Sequence, residues 1–236
     1  MIKTAFSLLT CATLALAAGP RLGPKEKLFN GKSLDGFYTY IEEHGKNSDP
    51  KGLFRVETGQ IRASGEEYGY FITEKEYENY NLLVEFRWGS KTFPPREGNA
   101  RDSGILYHAG GEDKLWPQSI EFQMIEGGTG DLILVGDTAV TVKGETKRRG
   151  RFDRFGKGKW EDVAGYRAPN GEPEKPHGQW NKLELWADGD NFRFQVNGTL
   201  VNEGSKSSVA RGKILFQSEG AEVFFRKIEL QPILGR

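Results

Sequence analysis

The chain of 236 residues carries 33 basic and 33 acidic side chains, and its neutrality excludes a surface built as a whole to bind nucleic acid or anionic membrane. Apolar residues make up 36% and aromatic residues 12%, enough for one sizeable core. The 31 glycines point to tight turns rather than long helices.

At the N-terminus, "MIKTAFSLLTCATLALAAGP" places Lys3 before an apolar run ending in small residues. That is the pattern of a secretory signal cleaved after the Ala cluster, over residues 1–18, and too short for a membrane span. It predicts export to a bacterial periplasm or cell surface. The only cysteine, Cys11, lies inside this segment. "LLTC" faintly resembles a lipoprotein cleavage box, an alternative that would leave a lipid anchor at Cys11, although Thr10 fits poorly there. The remainder has no disulfide and no thiol nucleophile, so its core must stabilise it.

Next come strand patterns. "LFRVETGQIRAS" turns at Thr58–Gly59 and "GYFIT" follows. In "LLVEFRW", Leu82, Val84, Phe86 and Trp88 alternate with Leu83, Glu85 and Arg87, the period of a half-buried strand. "KLELWADGDNFRFQVNGTLVNE" reads as three strands joined at Asp188–Gly189 and Asn197–Gly198, dipeptides that accept positive φ in tight hairpins. "GKILFQSEGAEVFFRKIELQPI" supplies two closing strands. Many short strands and no helical periodicity predict one all-β domain, a sandwich or jelly roll. The segment 143–178 is different: rich in glycine and charge, without apolar alternation, and predicted as a long loop insertion. Its aromatics Phe152, Phe155, Trp160 and Tyr166 argue against disorder.

Between those strands, "ARDSGILYHAGGEDKLWPQSIEFQMIEGGTGD" is crowded with acid, base and amide groups. In "SIEFQMIE", period two puts Glu121 and Gln123 opposite Ile120, Phe122 and Met124. Asp102 and His108 flank a neighbouring strand, and Gln217 and Glu219 recur two apart in "LFQSEG". This fits the floor of a binding groove, and equally the solvated face of an antiparallel sheet. His108, at a strand end, could act as a general base near neutral pH. Lys91, Arg96 and Arg101 are cations suited to hold a sugar or stabilise an enolate, and Trp160 suits stacking on a sugar ring. Glu126 and Asp131, brought close by "EGGTGD", could bind a divalent cation, though a calcium loop needs more ligands. The segment lacks the Gly-Lys-Ser/Thr ending of a phosphate loop. No other cofactor is indicated.

Taken together, "LFNGKSLDGF", "DSGILYH", "SIEFQMIEGGTGD", "GQWNKLELWADGDNFRFQVNGTLVNE" and "GKILFQSEGAEVFFRKIEL" resemble the 3-keto-disaccharide hydrolase domain family, over residues 28–233. The resemblance implies a concanavalin-like jelly-roll sandwich of two antiparallel sheets, one able to hold a carbohydrate, and cleavage of glycosides oxidised to a ketone at C3. Many members carry His-Gly before the last strand, where this chain has Glu219–Gly220. The expected chemistry removes the C2 proton, expels the C1 oxygen by β-elimination and then adds water. His108 is the expected base, Arg101 or a bound cation the enolate stabiliser, and Glu121 or Glu219 the acid. Asp102, Gln123, Gln217, Lys91 and Trp160 would bind the sugar. The alternatives are a conventional two-carboxylate glycosidase using Glu121 and Glu219, and a non-catalytic lectin-like module, which has no need of His108.

Overall fold

The computed structural model describes residues 20–169 and 171–235. The expected signal segment and Cys11 therefore lie outside the described residues. Among these, no helix is long and apolar enough to cross a membrane.

The described elements are all strands: β1 (Glu26–Lys27), β2 (Phe37–Ile41), β3 (Gly45–Lys46), β4 (Phe54–Glu57), β5 (Gln60–Ala63), β6 (Gly69–Thr73), β7 (Tyr80–Thr92) and β8 (Asp102–Gly110). There follow β9 (Gln118–Ile125), β10 (Leu132–Val142), β11 (Glu145–Phe152), β12 (Asn181–Asp188), β13 (Asn191–Val196), β14 (Thr199–Gly204), β15 (Lys213–Ser218) and β16 (Ala221–Pro232). They form two antiparallel sheets. Sheet I has the order β14-β13-β12-β7-β16-β5-β4, with β1 on β16; sheet II has the order β11-β10-β9-β8-β15-β6-β2-β3. This is the jelly-roll sandwich that the strand pattern predicts.

The alternation read from β7 holds: Leu82, Val84, Phe86 and Trp88 are buried, while Leu83, Glu85 and Arg87 are only half-buried. Facing side chains from the two sheets fill one core. Phe122 of β9 stacks on Phe194 of β13 with centroids 4.2 Å apart, and Phe216 of β15 meets Phe225 of β16 edge-on at 5.5 Å, arrangements that add to the burial of their area.

Sheet II has a second, smaller apolar cluster on its other face: Tyr38, Tyr70, Ile72, Leu106, Ala109 and Leu215, with Trp116 and Tyr40 packed on it. That is why β8 and β9 read as buried on both faces. Something must cover the outer face, and at one end it is the 111–117 loop carrying Trp116 and Asp113. Asp113 accepts hydrogen bonds from Tyr38 and from Lys46.

The expected insertion at 143–178 is shorter in the structure. Its first part folds as β11, hairpinned to β10 around Lys143–Gly144, and the irregular segment spans 153–180. β11 escaped the strand pattern because it is the edge of its sheet, exposed along most of its length. An edge strand buries no continuous apolar face and is guarded by charge, here Lys147, Arg148 and Arg149.

Candidate active site

Register builds the outer face of sheet II in two neighbouring rows, because directly opposed residues in antiparallel strands point the same way. The first row runs Tyr38, Ile72, Leu215, Leu106, Glu121, Ile133, Arg151 across seven strands. In the second, Tyr40 opposes Tyr70, Tyr70 opposes Gln217, and Gly104 opposes Gln123. Each row therefore passes from aromatic and aliphatic side chains under the 111–117 loop to ionisable and amide groups. Residues more than 90 positions apart in sequence, Glu121 and Gln217, meet at this boundary.

Gly104 is the hinge of that meeting. A Cβ there would lie 2.3 Å from Oε1 of Glu121 and 2.3 Å from Oε1 of Gln217. Only glycine lets both side chains lean over β8. Both of these oxygens are buried without a hydrogen-bond partner among the described residues.

Around them stand Asp102 and Glu219. Gln123 Nε2 donates to Asp102 Oδ1 at 2.5 Å, and Arg96 Nη2 lies 3.4 Å from Asp102 Oδ2. Glu219 follows β15 in the turn to β16, next to Gly220, where a Cβ would strike the Arg96 side chain. Burial raises all three carboxyl groups. Glu121 stands well above the usual carboxylate range, through desolvation and then the charges of Glu219 and Asp102, with Arg151 opposing. Asp102 is raised by desolvation against the pull of Arg96 and Arg151. Glu219 is raised by desolvation and by Asp102, with Arg96 opposing. Carboxyl groups that crowd one site cannot all ionise, so protons are held there near neutral pH. Tyr68 and Trp116, with rings 6.5 Å apart and tilted by 42°, add half-buried aromatic surface, and the charges of Glu219, Arg96 and Asp102 reach the Tyr68 phenol.

Glu121, Gln123, Gln217, Glu219 and Asp102 thus come together. His108 does not. A bulge between Tyr107 and Gly110 breaks the β8–β9 register, and His108 sits there with φ at 52°. Period two would put its side chain out with Asp102 and Leu106; the bulge turns it inward. Its ring packs edge-on against Tyr107 and Tyr80, with centroids at 4.9 and 5.8 Å, and Nδ1 lies 3.3 Å from the Val209 carbonyl. Desolvation there lowers its pKa to about 4. The buried imidazole packs between two tyrosines, away from the carboxyl cluster and from the place the expected base would take.

Arg101 is also displaced from its expected part. Its guanidinium donates to the carbonyls of Gly89 and Ser90 and to Glu126. Arg96 and Arg151 are the cations that face the carboxyl cluster. Lys91 is exposed near the end of β7, in the other sheet. Trp160 is an anchor: its indole N–H donates to the Glu126 carbonyl at 2.9 Å, and its ring packs on Tyr166.

Glu126 and Asp131 are committed elsewhere too. Glu126 accepts from Arg101 and from the Gly165 amide, and Asp131 from Lys157, Arg151 and the Arg154 amide. A carboxylate saturated by protein cations is a poor metal ligand, and among the described residues no three His, Cys, Asp or Glu side chains are grouped to hold a metal. These two residues instead pin the 153–180 segment to sheet II.

Two other clefts are present, the second bordering the site through Arg151. One of about 720 Å³ is lined by Lys143, Phe155, Trp186, Phe192 and Arg193; another of about 510 Å³ is lined by Lys147, Phe152, Lys157 and Arg151. Neither gathers amides with proton-holding carboxyls, so chemistry rather than volume places the site. Sequence reasoning had passed over Gly104, Arg151, Tyr68 and Trp116. For Gly104 a signal existed, since glycine inside a strand marks a close approach.

A family model described as the 3-keto-alpha-glucoside-1,2-lyase-like domain matches residues 24–231. The chain belongs to this family. It is accordingly a carbohydrate-active domain, as the sequence motifs suggest. No match was found among curated proteins. Among solved structures, it is similar to a protein from Parabacteroides distasonis that carries a provisional glycosyl hydrolase assignment, with 20% identity, a TM-score of 0.58, and coverage of 88% of this chain and 93% of that one. The endo-β-galactosidase of Clostridium perfringens that releases GlcNAcα1-4Gal gives 11% identity and a TM-score of 0.53, covering 96% and 66%. Bacillus licheniformis β-glucanase gives 10% and 0.50, covering 91% and 98%. At these identities the likeness is one of fold.

Proposed function

We propose that this protein is an exported enzyme that cleaves the glycosidic bond of 3-keto-glycosides by β-elimination followed by hydration. The observation that carries the reading is the gathering of Asp102, Glu121 and Glu219, with raised proton affinity, beside two guanidinium groups on one sheet face.

A ketone at C3 acidifies the C2 proton. The ionised member of the Asp102–Glu219 pair takes that proton, and the electron pair becomes the C3 enolate. Arg96 and Arg151 are the cations available to stabilise the enolate oxygen. The enolate re-forms the ketone as the C1–O bond breaks. Glu121, held protonated by burial, gives its proton to the leaving oxygen. Water then adds across the C1–C2 double bond, its hydroxyl to C1 and its proton to C2, completing net hydrolysis. Gln217 and Gln123 are placed to hold ring hydroxyls, and Tyr68 and Trp116 offer aromatic surface for stacking. Export rests on the N-terminal signal pattern.

The test is turnover of a 3-keto-disaccharide in deuterated water, followed by NMR. Deuterium at C2 of the product is expected. Cleavage without it would replace elimination by a two-carboxylate glycosidase mechanism centred on Glu121 and Glu219. Tight binding without cleavage would make the domain a lectin-like module.

A further inference from the structure

Arg96 lies in the loop between β7 and β8, and its guanidinium serves several partners. Nη1 and Nη2 bind the two carboxylate oxygens of Asp162 at 3.1 and 3.2 Å. Nε and Nη2 donate to the Ala100 carbonyl at 3.0 and 2.6 Å. Only the 3.4 Å contact from Nη2 reaches Asp102. The fork–fork geometry that makes an arginine–carboxylate pair strong is spent on Asp162, not on the site carboxylate.

Asp162 belongs to the 153–180 segment. It enters the site region because that segment is anchored on both sides of it. Before it, the Trp160 indole N–H donates to the Glu126 carbonyl, and after it the Gly165 amide donates to the Glu126 carboxylate. Within the segment Arg154 holds Glu172 with two 2.8 Å contacts, both side chains nearly inaccessible. Asp162 also accepts the Ala100 amide at 3.0 Å, which fixes it against the same loop that carries Arg96.

We propose that Asp162 is a positioning residue of the active site: by occupying both terminal nitrogens of Arg96 it keeps that arginine from closing a full ion pair on Asp102. The inference rests on the carboxyl cluster being the reacting site. A bidentate Arg96–Asp102 pair would leave Asp102 permanently ionised, and its fixed charge would hold the proton on Glu219 alone, so the two carboxyls could no longer exchange it. Asp162 divides the arginine's charge and leaves the pair poised.

The groups facing Asp102 are Arg96 and Asp162 from the two loops, Arg151 from β11, Gln123 and Glu121 from β9, Glu219 after β15, the Tyr68 phenol before β6 and the Ser103 amide. Replacing Asp162 by asparagine removes a repelling charge from Asp102 and frees Arg96 to attract it. Both changes act in one direction, toward easier ionisation.

The test uses Asp162→Asn in the whole protein, with carboxyl carbon NMR of Asp102 and Glu219 titrated without any sugar. The Asp102 midpoint is expected to fall by about one pH unit, with Asp162→Glu, which keeps the charge, returning it toward wild type. Should the asparagine variant fold poorly, Asp162→Ser carries the same expectation. On a 3-keto-disaccharide, the acid limb of kcat/KM moves to lower pH and kcat falls while KM changes less than about threefold, the pattern of an interaction used in the transition state. An Asp102 titration that stays in place in a folded Asp162→Asn protein overturns the proposal, even if its Tm falls. Because the titration needs no substrate, lack of sugar cleavage would count against the proposed reaction and not against this role for Asp162.

Discussion

Glu121 and Gln217 turn their Oε1 atoms to the same point above Gly104, and neither oxygen has a donor among the described residues. Two buried acceptors facing one spot call for a proton or a ligand hydroxyl between them. A neutral Glu121 carries that proton, which agrees with its raised affinity for one.

Gly104→Ala puts a methyl group where both side chains now stand. Overpacking of this kind destabilises by about 1–3 kcal/mol, and here it must also push Glu121 or Gln217 out of the site. We expect a folded protein with weakened sugar binding, measured by denaturant unfolding and by calorimetric titration side by side. Unchanged affinity would remove this pair from the binding site.

His108→Asn tests the correction of the base. Asparagine tolerates the left-handed backbone that position 108 adopts, so the change removes the ring while sparing the bulge. Stability should drop by about 1–3 kcal/mol through lost contacts with Tyr80 and Tyr107, while kcat stays within about threefold of wild type. A loss of kcat by about a hundredfold or more would return His108 to the catalytic machinery.

Glu174 gives a pH dependence with a definite sign. It sits buried in the sandwich, accepting Trp88 Nε1 and Thr129 Oγ1 at 2.7 Å each, and desolvation raises its pKa to about 7. A carboxyl group raised above its unfolded value binds more protons in the folded state. Its folded form is therefore favoured at low pH, and stability falls as pH rises from the ordinary carboxylate range through 7. Asp102, Glu121 and Glu219 act with the same sign. Glu172 has the opposite sign, since the Arg154 pair outweighs its burial and lowers its pKa. Glu174→Gln should flatten the loss between pH 5 and 8 by about 1–3 kcal/mol, measured by urea unfolding at the two pH values. An unaltered pH slope would show that Glu174 is ionised in the fold.

Asp131 joins Lys157, Arg151 and the Arg154 amide in a buried knot at the root of the 153–180 segment. Asp131→Ala removes the buried partner of Lys157 and Arg151 and leaves each only its ion pair with the exposed Asp153, and breaking such a group costs about 3–5 kcal/mol. The loss should be visible as a lowered urea midpoint together with faster proteolysis within 153–180. A segment that resists protease as before would show that its other anchors suffice.

Strand identity was legible in the sequence because it depends on local chemistry. The alternation of Leu82 to Trp88 and the turns at Asp188–Gly189 and Asn197–Gly198 carry their own periodicity and φ preference. Polarity on the outer face of β9 was equally readable, since Glu121 and Gln123 keep step with each other. Tertiary structure alone decided which polar groups share a surface. Glu121, Gln217 and Arg151 meet through strand order and register, which period two along one strand cannot specify. A single residue at φ 52° reversed the side on which His108 falls, and no alternation of side chains encodes a bulge. The division of Arg96 between Asp162 and Asp102 depends on where an irregular segment of 28 residues, 153–180, is pinned. Short-range propensity fixes the elements; long-range contact, invisible to any local window, chooses the site.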